Sequence, residues 1–193
     1  YTMLETVREF GLEQLSASGE EAAVRERHAR WLIELSAHAR AHWEKADYAH
    51  WLDRQELDRG NLRAALAWTI ECQNPELAYA LIIESNRFWR ARGPVAEGIS
   101  WMEAVLELPA PSLSERTEVL ELIADHAAML GDVERAIARG KESTQLARGL
   151  ADPIRLVRAL NASGRARLMC NEPEEAVPLM EEAIELSRAN DLR

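Results

Sequence analysis

The sequence predicts an all-α fold, a solenoid of stacked helical hairpins entered through a helical lead-in, and three observations carry that reading. The first is composition. Ala, Leu, Glu and Arg, strong helix formers, dominate the 193 residues, while Val, Ile, Tyr, Phe and Thr are sparse. The second is a motif that occurs three times. Gly93-Pro94-Val95-Ala96-Glu97-Gly98-Ile99, Gly131-Asp132-Val133-Glu134-Arg135-Ala136-Ile137 and Asn171-Glu172-Pro173-Glu174-Glu175-Ala176-Val177 begin 38 and 40 residues apart. Each opens on a turn residue, adds an acid, and sets a small residue before a β-branched one. Such a period marks a repeat array, in which one hairpin cannot bury its apolar face until a neighbour stacks on it. The third is punctuation: Asn74-Pro75 and Asp152-Pro153 each join an N-cap residue to Pro at the first helical position.

The elements follow in order. From Thr2 to Ser18 the residues Leu4, Val7, Phe10, Leu12 and Leu15 recur at spacings near three and four, an amphipathic helix stopped by Gly19. A second helix runs from Glu20 to about Ala46, with Ala23, Trp31, Leu32, Leu35 and Trp43 toward the interior. Asp47 caps a short helix carrying Tyr48, Trp51 and Leu52. Gly60 and Asn61 mark a bend or a polar packing point before Leu62, Leu66, Trp68 and Ile70 continue as the next helix. With the turns at 93, 131 and 171 as a ruler, the first helices of three hairpins are Pro75 to Arg92, Ser114 to Leu130 and Pro153 to Cys170. The second helices are Val95 to Leu108, Val133 to Leu150 and Pro173 to Ala189.

The net charge of −10 excludes a whole-surface attraction to nucleic acid or anionic membrane. No apolar run approaches the roughly 18 residues of a membrane span, and no leader with a cleavage site is present, so a cytoplasmic location is expected. Cys72 and Cys170 lie in apolar helical patterns and are expected to be reduced core thiols. A start at Tyr1 and an end just after a helix suggest a piece of something longer.

Aligned on the turns, the hairpins give columns. Seven residues before each turn stand Asn86, Ala124 and Gly164, and five after it Gly98, Ala136 and Ala176, small enough for paired helices to approach closely. Eleven before stand Ile82, Leu120 and Leu160, and fifteen after Leu108, Leu146 and Leu186, the expected buried ribs. The pattern resembles the tetratricopeptide repeat, whose small residues occupy these columns. It departs from it in running longer than the usual 34 residues and in lacking most of its aromatic positions. That resemblance implies a right-handed superhelix with first helices lining the concave face.

The N-terminal half carries a further ordered series: Tyr1-Thr2-Met3-Leu4-Glu5-Thr6-Val7-Arg8-Glu9-Phe10, His28, Asn61-Leu62-Arg63-Ala64-Ala65-Leu66-Ala67-Trp68, then Phe88-Trp89, Gly93, Glu97-Gly98 and Trp101. The series resembles the segment after the ATPase and winged-helix modules in bacterial regulators of the STAND class, of LuxR-type or AfsR-like kind. The resemblance implies a helical connector over residues 1–57 and a repeat array over residues 58–193 that continues beyond the last residue. It also implies a bacterial signalling protein whose array senses an effector or partner while DNA binding lies elsewhere. The chain has no G-x-x-x-x-G-K-[ST] loop, so ATP is expected only in an upstream domain, with no cofactor in this segment.

Projection of the first helices onto the concave face names the candidate groove. It comprises Ala80, Ile83, Arg87 and Arg90, then Glu118, Glu121 and Asp125, then Arg158, Asn161 and Arg165, a positive-negative-positive striping. Arg158, Asn161 and Arg165 form one ridge at spacings of three and four, able to take a carboxylate or phosphate. The competing reading has the acidic stripe simply pairing with Arg on both sides, tying repeat to repeat. A scaffold for self-association, without a ligand, is the alternative function. Homo-oligomers fit either reading.

Other clusters carry less. Glu34, His38 and His42 share a helical face, but no fourth ligand or HExxH base accompanies them, and no metal is expected. The six Trp are expected to wedge helix crossings. Phe88 and Trp89, flanked by Arg87, Arg90 and Arg92, have the composition of a single-strand nucleic-acid platform, which the net charge disfavours. No nucleophile with its base, and no G-x-S-x-G elbow, is found, so no enzymatic activity is expected.

Overall fold

Short polar side chains set the helix starts. Asn74, Ser112, Asp132 and Asp152 each accept a hydrogen bond from the backbone N–H three residues on, at 3.0 to 3.2 Å. Pro75, Pro153 and Pro173 occupy first helical positions, where their missing N–H costs nothing. One closing device recurs at helix ends. The backbone bonds Asn74 N to Thr69 O, Asp132 N to Ala127 O, Glu172 N to Arg167 O and Leu192 N to Ser187 O are all 2.9 Å. Each spans a residue at positive φ, namely Gln73, Gly131, Asn171 and Asp191, in the Schellman manner.

The computed structural model describes residues 5–192, apart from the side chains of residues 5, 6, 8, 9 and 12. Among the described residues the chain is all-α, with ten helices: α1 (Glu5–Ser18), α2 (Glu21–Ala41), α3 (Tyr48–Leu57), α4 (Arg59–Glu71), α5 (Pro75–Ala91), α6 (Val95–Leu106), α7 (Leu113–Leu130), α8 (Val133–Arg148), α9 (Pro153–Met169) and α10 (Pro173–Ala189). The hairpins α5–α6, α7–α8 and α9–α10 fall where the motif period places them. The expected start at Thr2 and the expected apolar residues Leu4 and Leu12 lie outside the described residues or side chains.

The first helices form a row, α5 packed on α7 and α7 on α9, while α2 packs on both α4 and α5. One apolar cluster runs from Ala29 and Leu32 on α2 through Ile82, Phe88 and Trp89 on α5 and Leu120 on α7 to Ala166 on α9. Ile82, Leu120 and Leu160 are fully buried, forming one rib. In the second expected rib Leu108 is buried, whereas Leu146 and Leu186 are half-buried, Leu146 packing against the core cluster. The small column does what its size allows. A Cβ on Gly98 would stand 2.7 Å from Trp89 Cβ, and one on Gly164 would stand 2.8 Å from Met180 Cγ.

Several expectations are corrected. The second helix ends at Ala41 rather than Ala46, and Ala29, Leu32, Ser36 and Ala39 are its buried residues. Ala23, Trp31 and Trp43 are exposed. Of the six Trp only Trp89 is fully buried, because apolar periodicity does not tell the covered side of a helix from a flank. The break near Gly60 falls at Asp58, and Gly60 and Asn61 lie inside the first turn of α4. Asp47 does precede α3, but its carboxylate accepts from Trp51 Nε1 at 3.2 Å and makes no cap bond. Cys72 is exposed, whereas Cys170 is half-buried and packs against the core cluster, both at helix C-caps.

Candidate functional site

The three first helices present one face to the same space. Residues spaced three and four apart on α5, α7 and α9 share a face, and the row brings those faces side by side. The result is a cleft of about 420 Å³. Arg87, Arg90, Glu118, Glu121, Asp125, Arg158, Asn161 and Arg165 all line it. Ala80 and Ile83 do not: Ile83 is buried in the core cluster, and Asn86 takes the position on α5. A larger hollow of about 560 Å³ lies at the α10 end, lined by Ile184, Ser187 and Arg188 among others, and gathers no comparable set of charges.

The charges do not pair evenly. On one side the α7 acids face α9, where Arg155 Nη2 donates to Glu118 at 2.8 Å and Nη1 to Glu121 at 3.4 Å. Arg155 also donates to Ser114 Oγ at 3.2 Å and is buried. Nearer the mouth, Arg165 Nη2 holds Asp125 at 2.8 and 3.1 Å. On the other side, Arg40 of α2 pairs with Glu84 of α5 at 2.8 Å. Arg87, Arg90 and Arg158 make no ion pair among the described residues. The Arg87 guanidinium lies 3.8 Å over the Trp43 ring, a cation–π contact that leaves its in-plane N–H groups uncommitted. Partial burial holds Arg87 below its ordinary value, and the neighbouring Arg90 and Arg40 add to that.

Glu121 is the most perturbed group in the cleft. Burial pushes its carboxyl up to about 8, with Arg155 opposing and Glu118 adding to the rise. Its Oε1 is buried without a hydrogen-bond partner. The carboxyl lines the cleft between Glu118 on its own helix and the arginines of α9. Behind it His126 lies buried, with Nδ1 donating to Leu122 O at 2.7 Å and Nε2 unpartnered. Burial lowers this imidazole, so it is neutral.

Sequence reasoning missed three participants. Arg155 sits at the third residue of α9, below the projected face, and its role emerges only from the α7–α9 packing. Arg40 comes from α2, outside the repeats, and reaches the cleft because α2 packs on α5. Glu84 enters only as the partner of Arg40. Ion pairs elsewhere also join successive helical layers: Arg63–Glu97, Arg139–Glu103 and Arg148–Glu182 link residues 34 to 36 apart at 2.5 to 2.6 Å.

The remaining clusters find ordinary places. His38 and His42 stack on each other at 4.9 Å and against Trp51 at 4.7 and 5.3 Å. No group of three or more His, Cys, Asp and Glu is arranged for a metal ion among the described residues. Phe88 and Trp89 are fully buried against each other at 5.3 Å, so neither offers a face to a nucleobase. No helix among the described residues is long and apolar enough to cross a membrane.

Curated relatives match nearly the whole chain. Proteins from Mycobacterium bovis and from two strains of Mycobacterium tuberculosis, each named "Putative HTH-type transcriptional regulator", are 32% identical over 206 aligned positions that cover 99% of this chain. The chain spans 22% of their length. No protein-family model and no solved structure matches it significantly. The similarity links the chain to transcriptional regulators.

Proposed function

We propose that this chain is the signal-receiving helical segment of a multidomain bacterial transcriptional regulator, non-enzymatic itself and binding an effector or protein partner in the cleft between α5, α7 and α9. Residues 1–57 serve as connector to upstream ATPase and winged-helix modules, and residues 58–193 form the tetratricopeptide-like array. One observation supports this above the others: charged side chains from three repeats converge on one cleft, and several of them remain unpaired. The relatives' name supports the regulatory setting. Occupation of the cleft bears on the packing of neighbouring hairpins, and differential affinity for two packings is what a switch requires.

The regular ion pairs between repeats favour a second reading, a scaffold without ligand. Charge reversal separates the two. Arg158→Glu with Arg165→Glu in the full-length protein is expected to abolish the transcriptional response to inducer or partner. An unchanged response, together with concentration-dependent self-association in sedimentation, would leave the scaffold standing.

A further inference from the structure

We propose that the cleft binds a small organic dianion, a phosphate monoester or a dicarboxylate, on the guanidinium groups of Arg87, Arg90 and Arg158, beside the buried carboxyl of Glu121. The inference rests on the effector-cleft reading above and names the chemistry of its ligand. It departs from the simplest expectation, an Arg158–Arg165 ridge, because Asp125 already occupies Arg165.

Four observations carry it. First, the cleft and the side chains touching its walls hold six arginines, Arg40, Arg87, Arg90, Arg155, Arg158 and Arg165, against four carboxyls, Glu84, Glu118, Glu121 and Asp125. The acids are committed to Arg40, Arg155 and Arg165, so the excess positive charge resides on Arg87, Arg90 and Arg158. Second, this excess stands in a chain of net charge −10, where a local basic concavity is contrary to the average surface and focuses field on a small anion. Third, Arg87 is held by Trp43, so its fork is oriented before any ligand arrives, which lowers the entropy lost on binding. Fourth, Glu121 is 8% exposed, lines the cleft, and has an oxygen without a partner. A buried polar atom left unsatisfied calls for a partner. The groups facing Glu121 are Glu118 on its own helix and Arg155 and Arg158 on α9.

Size sets the class. About 420 Å³ accommodates a small molecule, and the chain's net charge of −10 repels an extended polyanion such as nucleic acid.

Calorimetric titration of the chain with phenyl phosphate and with succinate, at low chloride and pH 7, tests the proposal. Binding of at least one is expected, with the tighter of the two identifying the source of the dianion. Arg87→Ala and Arg158→Ala each weaken it at least about tenfold, because each removes a charge-assisted contact, while Arg27→Ala on the exposed face of α2 leaves it unchanged. Arg158 is exposed and unpaired, so its variant keeps its thermal midpoint even if loss of the Trp43 stack loosens the Arg87 variant. Arg158→Lys retains charge without the planar fork and falls between. Failure of both dianions to bind, or binding indifferent to Arg87 and Arg158, overturns the proposal. Binding of an acidic peptide alone overturns it too, while leaving the partner-binding form of the wider reading intact. That wider reading falls only to the charge-reversal test in the full-length protein.

Discussion

Trp89 occupies the space that a side chain at Gly98 would need: a Cβ there would lie 2.7 Å from the indole's own Cβ. The contact is with the root of a fully buried Trp, which cannot swing aside. Gly98→Ala is therefore expected to destabilise the fold by about 1–3 kcal/mol despite the better helix propensity of Ala. Gly60, also helical, has nothing within 4 Å, and Gly60→Ala is expected to stabilise by about 0.5 kcal/mol. Urea midpoints of the two variants should move in opposite directions.

Glu121 gives stability a pH dependence of a definite sign. Its folded value of about 8 lies above the ordinary 4.5, so the folded state holds the extra proton between those limits. Stability is fully present below about pH 4.5 and declines as pH rises toward and through 8, with a slope of at most about 1.4 kcal/mol per pH unit. Glu121→Gln removes this contribution. Glu84, raised by burial, and His126, lowered by burial, titrate in both proteins, so the difference between the two pH–stability curves isolates Glu121. Parallel curves would show that the carboxyl is already ionised in the folded chain.

Arg155 and Arg148 make a matched comparison. Arg155 is buried between two carboxyls, and Arg155→Met should cost about 3 kcal/mol at pH 8, less at pH 6 where Glu121 is protonated. Arg148 holds Glu182 at 2.6 Å through both nitrogens but is half-exposed, and Arg148→Ala should cost about 0–1 kcal/mol. Equal costs would mean that burial does not decide the strength of these pairs.

The two thiols should differ in reactivity. Cys72 is exposed, whereas burial and the neighbouring Glu172 hold the Cys170 thiol above its ordinary value. A disulfide reagent at pH 8 is expected to modify Cys72 first, and Cys72→Ser to remove the fast phase.

The fold was legible where local chemistry recurs. Caps, prolines and the turn motif placed the three hairpins, because those signals act within four residues and survive without knowledge of the partner. The lead-in was harder: α2 buries Ala29, Ser36 and Ala39, small residues without a strong apolar signature, and leaves Trp31 out, while Trp43 lies exposed just past its end. The cleft was legible as a face, since helical period and repeat period together fix which residues look into it. Which charges remain free was not. That depends on Arg155 reaching two acids from outside the face and on Arg40 arriving from a helix that shares no repeat.

Every α7 acid that lines the cleft and makes an ion pair is tied toward α9, and none toward α5. Helix α5 also meets α7 over a shorter stretch than α9 does. The first hairpin is instead joined to the second on the far side of the stack, where Glu103 of α6 meets Arg139 of α8 at 2.6 Å. The cleft wall that carries Arg87 and Arg90 is thus left without a charged link across its own floor.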